Sequence, residues 1–509
     1  MPNNQTVSFY DYSGGLNEIG ENVHLQQNET PYCKNVIFDE LGSLVKRKGY
    51  QSILNTPIST TEEVDGLYVF HEKDGSRHMI AVVAGTLYEV NEDTGNYTVI
   101  NYSDGVTPVD DLTDTDYIGF TTWGNRCYIT NGVEPVMEYD GSTVTKWGVS
   151  EQRGRYITAH KNMIFWAGDS SNPSAVYYSE IAPAAGSPGA WGEINVQTDD
   201  GDQIMNIIKL QDNLVIFKSN SIHVLYGSNE DQFALREVQT SVGTIAPKSV
   251  SNIMNRLFFL YRDGVYTFDG TNVQYISDKV RPTMNNIADP GKCAGGWKNH
   301  KYYLSYSDGI AGSDIDKCMV YDILHESWAR FTNYPVNMFN NYDGSQDGQI
   351  NINELYFGSA EQGEIYKVDE GYSDNGEDIE VEYRTKHFNL DALEVIKTFR
   401  RIMVDNLTIG NFIMIYDVDK GKKRGQFSIS GLEAKDEYLW DNNEWSDATA
   451  DDNDLVWAPD DKATIFASPL GRNVFGRNIR FIITEKSTDP MKLFGINLDF
   501  RPRRKRYRR

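Results

Sequence analysis

Cysteine is scarce and scattered in this 509-residue chain. The four, Cys33, Cys127, Cys293 and Cys318, form no CxxC pair, which argues against a zinc knuckle or a disulfide scaffold and leaves buried free thiols as their reading. Histidine is almost as sparse. The eight, at positions 24, 71, 78, 160, 223, 300, 325 and 387, stand singly, so no HExxH or Cys/His cluster arises, and each is read as structural. Also missing are a GxSxG elbow and a GxxxxGK[ST] phosphate loop. Apolar stretches such as Leu214 to Phe217 and Leu257 to Leu260 fall far short of the roughly 20 residues that span a bilayer. The first residues, with Gly14, Gly15 and Asn17, carry no apolar core of a signal peptide, so export by that route is not expected.

What the chain has in quantity is aromatic residues, 12% of the total with 31 Tyr, and 43 Gly, the profile of many short strands joined by tight turns. Net charge is -25, and the last nine residues hold six Arg and one Lys, leaving 41 basic against 73 acidic residues before them. A body that acidic repels nucleic acid at long range, which argues against a general DNA-binding role. It serves solubility, or a surface that DNA slides past without sticking.

From Leu67 a pattern recurs: short apolar strand, polar Asp-Gly or Asn-Gly turn, second strand, then Trp or Tyr near the end. The first unit holds Leu67 to Phe70, a turn at Asp74-Gly75, Met79 to Val83, Leu87 to Val90 and Tyr97 to Ile100. A second runs from Tyr117 to Trp147, a third from Tyr156 to Trp191, a fourth from Ile204, a fifth around Leu257 to Gly270 and a sixth from Gly295 to Trp328. A weaker seventh spans Met338 to Val368, with the early strand Asn35 to Leu44 expected to complete it. Four strands in about 35 residues is the size of a propeller blade, so the expected fold is all-β: a propeller of six or seven blades at 66–371. The alternative is unrelated hairpins in one or two sandwiches. Residues 1–65 supply a closing strand, 372–500 a sandwich-like all-β domain, and 501–509 a basic tail.

The opening Phe9-Tyr10-Asp11-Tyr12-Ser13-Gly14-Gly15-Leu16-Asn17, then Asn35-Val36-Ile37-Phe38-Asp39, then Leu41-Gly42-Ser43-Leu44-Val45-Lys46-Arg47-Lys48-Gly49-Tyr50, resembles bacteriophage tail propeller proteins. His160-Lys161-Asn162, Val176-Tyr177-Tyr178-Ser179 before Trp191, Gly243 with Ser249-Val250, and Asp263-Gly264-Val265-Tyr266 follow in that family's order. The resemblance is nearest to tail nozzle or tail-hub proteins of short-tailed phages. It implies a virion structural protein, made in the host cytoplasm, that forms a homo-oligomeric ring, a hexamer in that family. Such a ring sits below portal and adaptor, contacts the adaptor or other tail proteins, and lets double-stranded DNA pass without specific binding. Gly14, Gly15 and Gly49 are read as backbone devices. Lys46, Arg47 and Lys48 are expected to guard an exposed strand edge, or to touch a neighbouring subunit or DNA.

No catalytic residue and no required cofactor are expected, so the chain is read as a non-enzyme. One metal candidate stands out. Asp343-Gly344-Ser345-Gln346-Asp347-Gly348-Gln349-Ile350-Asn351-Ile352-Asn353-Glu354 follows the EF-hand loop spacing, so Asp343, Ser345, Asp347, the Gln349 carbonyl and Glu354 are the candidate Ca²⁺ ligands, against a plain turn cluster. Asp451, Asp452 and Asp454, in an acidic loop at 441–461, are read as solvated, against a cation site. Arg501, Arg503, Arg504, Lys505, Arg506, Arg508 and Arg509 are candidates for docking into an acidic groove of a partner or onto DNA phosphates, against a solubilising tail. A second class of function is a host-surface module binding a glycan, with Trp440, Trp445 and Trp457 as stacking platforms against a packing role. A third is a glycosidase using paired carboxylates, disfavoured because the Ser-x-Asp-x-Gly-x-x-Trp turn of sialidases is absent.

Overall fold

A computed structural model describes the chain except for residues 1–3, 22, 114–116, 149–151, 198–199, 239–240, 310–314, 347–348, 391, 393, 409, 430–463, 472 and 504–509, and the side chains of 343–352 and 464. The chain divides into two compact units, Gln51–Ile323 with Thr332–Val368, and Met1–Tyr50 with Leu324–Phe331 and Asp369–Arg509. The acidic loop at 441–461, with Trp440, Trp445 and Trp457, lies outside the described residues.

The first unit is a six-bladed β-propeller closed by a further sheet. Its blades start with the strands Val64–His71, Gly119–Trp123, Tyr156–His160, Ile204–Leu210, Ser251–Ile253 and Gly295–Lys298, and each continues through antiparallel neighbours that follow in the chain. The turns between those neighbours share one chemistry. At Asp74, Asp140 and Asp269 the carboxylate accepts backbone N–H bonds from residues two or three positions on, at 2.7–2.9 Å. The glycine that follows each, Gly75, Gly141 or Gly270, takes φ of 95° to 98°. An Asp that folds its own turn and a Gly that tolerates the left-handed region reverse the strand at little cost.

Each blade buries its apolar faces against its neighbours. Phe70, Ile80 and Val82 of the first pack with Cys127, Ile129 and Met137 of the second. Tyr128 and Trp147 of the second meet Ile164, Trp166 and Tyr177 of the third, where the two indoles lie edge to face at 5.5 Å. The same arrangement continues with Phe165 and Val176 against Ile207 and Ile216, then Val215 and Phe217 against Leu257 and Phe259. Phe258 stacks on Tyr302 at 5.3 Å, joining the fifth and sixth blades.

The remaining sector is filled by Val336–Gln346, Gln349–Ser359 and Ile365–Val368. Tyr303 of the sixth blade meets Phe339 on one side of it, and Tyr342, Tyr356 and Ile365 pack with Val64, Leu67 and Met79 of the first blade on the other. Its outer edge is taken by chain from before the first blade. Ile53 N–H donates to the Ile365 carbonyl at 3.0 Å, Ile58 N–H to Gly363 at 2.8 Å, and Gly363 N–H returns to Ser59 at 2.8 Å. The closing stretch is therefore 51–59. Asn35 to Leu44 does not serve, because Val36–Phe38 and Leu44–Lys46 pair with each other and with Met491–Pro502 in the other unit. A charged clasp also spans the seam: Arg77 pairs with Glu92 at 2.9 Å, the Tyr356 hydroxyl donates to Glu92 at 3.1 Å and to Glu354 at 2.5 Å, and Lys367 pairs with Glu354 at 2.7 Å.

The second unit holds two larger, mainly antiparallel sheets and the short parallel pair Gly15–Leu16 with Glu29–Thr30. One runs Thr464–Pro469, Lys397–Thr408, Met491–Pro502, Leu44–Lys46, Val36–Phe38, with Gln5–Phe9 also on Met491–Pro502. The other contains Glu377–Arg384, Ile479–Ser487, Phe412–Val418 and Lys423–Ile429, with Tyr32–Lys34 on Glu377–Arg384. Alternation along Lys397–Thr408 buries Lys397 and Phe399 and, past the register shift between Phe399 and Arg401, Ile402 and Val404.

The basic motif at 46–48 departs from expectation. Lys46 and Arg47 are no exposed edge; both are within 1% of full burial. Arg47 clamps Asp374 through two bonds of 2.7 and 2.6 Å, donates to Asn35 Oδ1 at 2.9 Å and lies over the Phe331 ring. Lys46 pairs with buried Glu485 at 2.8 Å. Gly49 follows because a Cβ there would stand 1.8 Å from the Ser373 carbonyl oxygen, and Gly15 has φ +67° with Ser327 and Trp328 against it. Arg47→Met strands a buried carboxylate, so urea unfolding of this unit is expected to show a loss of about 3–5 kcal/mol that persists in high salt; a loss under about 1 kcal/mol contradicts the clamp.

Candidate functional site

Every sector of the propeller sends residues from near the start of its innermost strand to one axial opening. Glu63 precedes Val64–His71, Tyr117 precedes Gly119–Trp123, and Arg155 precedes Tyr156–His160. Gln203, Lys248 and Asp289 stand one, three and six residues before the next three inner strands, and Asn337 is inside the closing sector. The cavity they enclose measures about 530 Å³, within the range of small-molecule pockets.

Bonds made at the rim fix its shape. Asn337, 3% exposed, donates to the Val64 carbonyl at 3.0 Å and accepts from the Lys248 ammonium at 3.0 Å, tying three sectors together. Asn206 donates to the Pro247 carbonyl at 2.8 Å. Tyr117 and Tyr156 meet edge to face at 5.1 Å. Burial, then Tyr156 beside it, pushes the Tyr117 phenol above its ordinary value, so it stays protonated and available as a donor at neutral pH. The lining holds three acids, Glu63, Asp169 and Asp289, and three bases, Arg155, Lys248 and Lys292. Two of the acids already serve local turns: Asp169 accepts from Ser171 at 2.9 and 2.8 Å, and Asp289 from Gly291 N–H at 3.2 Å. His and Cys are absent from the lining. The opening offers hydrogen bonds and aromatic edges suited to holding a polar molecule.

The EF-hand-like segment is an antiparallel hairpin. Tyr342 faces Glu354, Asp343 faces Asn353, Gly344 faces Ile352 and Gln346 faces Gln349. Asp347 and the side chains of Asp343, Ser345 and Gln349 lie outside the described residues, while the Glu354 carboxylate is bonded to Lys367 and Tyr356. Those bonds outweigh burial and hold the Glu354 carboxyl below its ordinary value. Among the described residues no group of three or more His, Cys, Asp or Glu could hold a metal ion.

Of the tail, Arg501 pairs in register with Thr398, and Arg503 lies over the Phe475 ring with Nε donating to Thr398 at 2.8 Å. Arg504, Lys505, Arg506, Arg508 and Arg509 fall outside the described residues. The four cysteines are buried free thiols; burial pushes Cys33 up to about 11. Of the histidines, His160, His223 and His387 are buried, and burial pushes His160 down to about 4, leaving it neutral at physiological pH.

Sequence reasoning passed over the axial lining, whose signal is positional: a polar residue just before each unit's first strand. It also passed over a basic surface around Phe475, assembled from segments that are distant in sequence.

No protein-family model matches the chain, and no curated protein does. Among solved structures it is similar to YCF48 bound to D1 peptide, at 11% identity over 63% of this chain and 95% of that one with a TM-score of 0.38. It is also similar to virginiamycin B lyase from Staphylococcus aureus, at 10% identity over 63% of this chain and 98% of that one with a TM-score of 0.40. YCF48 from Cyanidioschyzon merolae gives 12% identity, 63% and 98%, with a TM-score of 0.38. None of these descriptions is of a phage protein, and at such scores the propeller assignment rests on the sheets themselves.

With Glu354 engaged in the clasp, the melting temperature in excess EGTA is expected to stay within about 1 °C of that in CaCl₂; a Ca²⁺-dependent rise abolished by Asp343→Asn would contradict this.

Proposed function

We propose that the chain is a non-enzymatic structural protein of a phage tail, a nozzle or hub component in the virion. In this reading it forms a homo-oligomeric ring, six copies by resemblance, that continues the DNA-ejection channel below portal and adaptor. The observation that carries the reading is the role of the residues on which the resemblance rests. Gly15, Leu16, Leu44, Arg47 and Gly49 are all scaffold: Leu16 and Leu44 are fully buried, Arg47 clamps Asp374, and the two glycines admit backbone at close range. Residues with such roles set an architecture, which is what components of one ring would have in common.

Size and charge support it. A cavity of about 530 Å³ holds a small molecule, so a duplex would pass between several copies around a common axis instead of through one propeller. The propeller unit carries 40 acidic against 20 basic residues, a wall from which phosphates are repelled. A second reading, a host-surface glycan module, is favoured by Tyr117, Tyr156, Arg155 and Asn337 around the axial opening.

Cryo-EM of particles labelled on this chain is the test. Several copies in a ring on the tail axis are expected. Absence from particles overturns the proposal, and glycan-array binding lost on Arg155→Ala would then favour the second reading.

A further inference from the structure

The surface around Phe475 gathers positive charge from segments far apart in sequence. Lys423 Nζ lies 3.2 Å from the ring centroid, and the Arg503 guanidinium lies 4.0 Å from the same centroid. Arg503 is held there by Thr398 Oγ1 and by its own N–H on the Ile396 carbonyl, both at 2.8 Å. The tight turn Asp419-Lys420-Gly421, with φ of 50°, 57° and 91°, places Lys420 and Lys422 in solvent beside exposed Arg424. Arg477 joins through its backbone N–H, 2.7 Å from Asp419 Oδ1.

The acids within this stretch are already engaged. Asp419 accepts backbone N–H bonds from Arg477 and Asn478, and Asp417 pairs with Arg480 at 2.8 Å. Among the described residues the heads of Lys420, Lys422, Arg424 and Arg477 have no acidic partner. Lys423 and Arg503 share one aromatic ring, and exposed Lys420, Lys422, Arg424 and Arg477 follow on the adjoining turn, strand and loop, a concentration of positive charge that favours an anionic partner.

The propeller carries the opposite surface. Residues 51–200 hold 22 acidic and 7 basic side chains. Within them Asp110, Asp111 and Glu134 converge on Tyr102, whose phenol is pushed up by burial and then by these carboxylates. Lys146 lies against this cluster, 2.9 Å from Asp111 and over the Tyr102 ring. Apolar side chains stand exposed nearby in sequence, Val99 at 42% and Val106 at 81%, as Ile396 does at 41% beside Arg503.

The geometry points to a head-to-tail interface in which the basic surface around Phe475 of one copy docks on the acidic surface around Tyr102 of the next copy of this chain. A duplex offers only negative charge, whereas a second copy offers both signs. Each copy presents one surface of each kind, so the contact is heterologous and repeats, closing into a ring where the rotation allows. The inference rests on the ring reading proposed above.

Mass photometry and sedimentation of the full-length chain test it. At about 50 mM NaCl the wild type is expected to associate, and at about 500 mM to dissociate, because the contact is screened. Lys422→Glu/Arg424→Glu/Arg477→Glu is expected to weaken association at least about tenfold, as is Asp110→Lys/Asp111→Lys, while the chain with all five changes recovers it. Melting curves verify folding, and Asp110→Lys alone, at an exposed side chain, backs up the pair. Undiminished association of the triple variant, or no recovery in the folded five-residue variant, overturns this interface and leaves the ring reading standing. A wild type that stays monomeric at low salt sinks both. Loss of duplex-DNA retention in the triple variant with association intact overturns the interface and assigns the surface to nucleic acid.

Discussion

A small twisted sheet with two apolar faces cannot stand alone in water, and that constraint organises the propeller. Each blade hides one face on its predecessor and the other on its successor, so the arrangement is complete only when the last sheet meets the first. The seam bears the cost of that completion. There the sector from Val336 to Val368 borrows backbone partners from residues 53 to 59, and the Arg77, Glu92, Tyr356, Glu354 and Lys367 clasp adds half-buried charge to the apolar packing of Tyr342 and Ile365. Burial raises the Glu92 carboxyl despite Arg77 beside it, whereas Lys367 and Tyr356 hold Glu354 down. The two carboxylates of one clasp are thus tuned in opposite directions by their surroundings.

The second unit solves a different problem, joining the beginning of the chain to its end. Arg47 with Asp374 and Lys46 with Glu485 are buried pairs that span more than 300 residues of sequence. Pairs of this kind add less to stability than apolar packing would, but a misplaced partner leaves a bare charge, so they select one arrangement of the termini. The same unit exposes the unpartnered basic surface around Phe475, in a chain whose propeller is strongly acidic. That opposition of sign within one molecule is what makes self-association through charge physically reasonable.

Most of the propeller was legible in the sequence because its signals are local. Asp74-Gly75, Asp140-Gly141 and Asp269-Gly270 mark turns that fold on their own side chains, and alternation in Met79 to Val83 or Leu257 to Tyr261 marks the strands between them. Pairing between distant segments was not legible. Asn35 to Leu44 was a reasonable closing strand by composition, yet nothing local distinguishes it from residues 51–59, and the choice is made by Ile365 and Gly363 far along the chain. Lys46 and Arg47 looked like surface charge because their carboxylate partners lie at 485 and 374. The Asp343 to Glu354 spacing follows that of a cation loop, and the same stretch pairs with itself from Tyr342↔Glu354 inward as a hairpin, two local patterns that the residue types alone do not separate. The axial lining is the reverse case, since its residues are ordinary in sequence and acquire meaning only when the blades surround one axis.

Amide hydrogen exchange across the seam tests the central claim most directly. If the wheel is closed by residues 51–59, the amides of Ile53, Ile58 and Gly363 exchange with the same opening free energy as those of Ile80 and Val82 inside the first blade, released only by global unfolding of the propeller. Exchange of those three at near free-peptide rates, with the blade amides still protected, would contradict closure and with it the rigid wheel on which the functional reading depends.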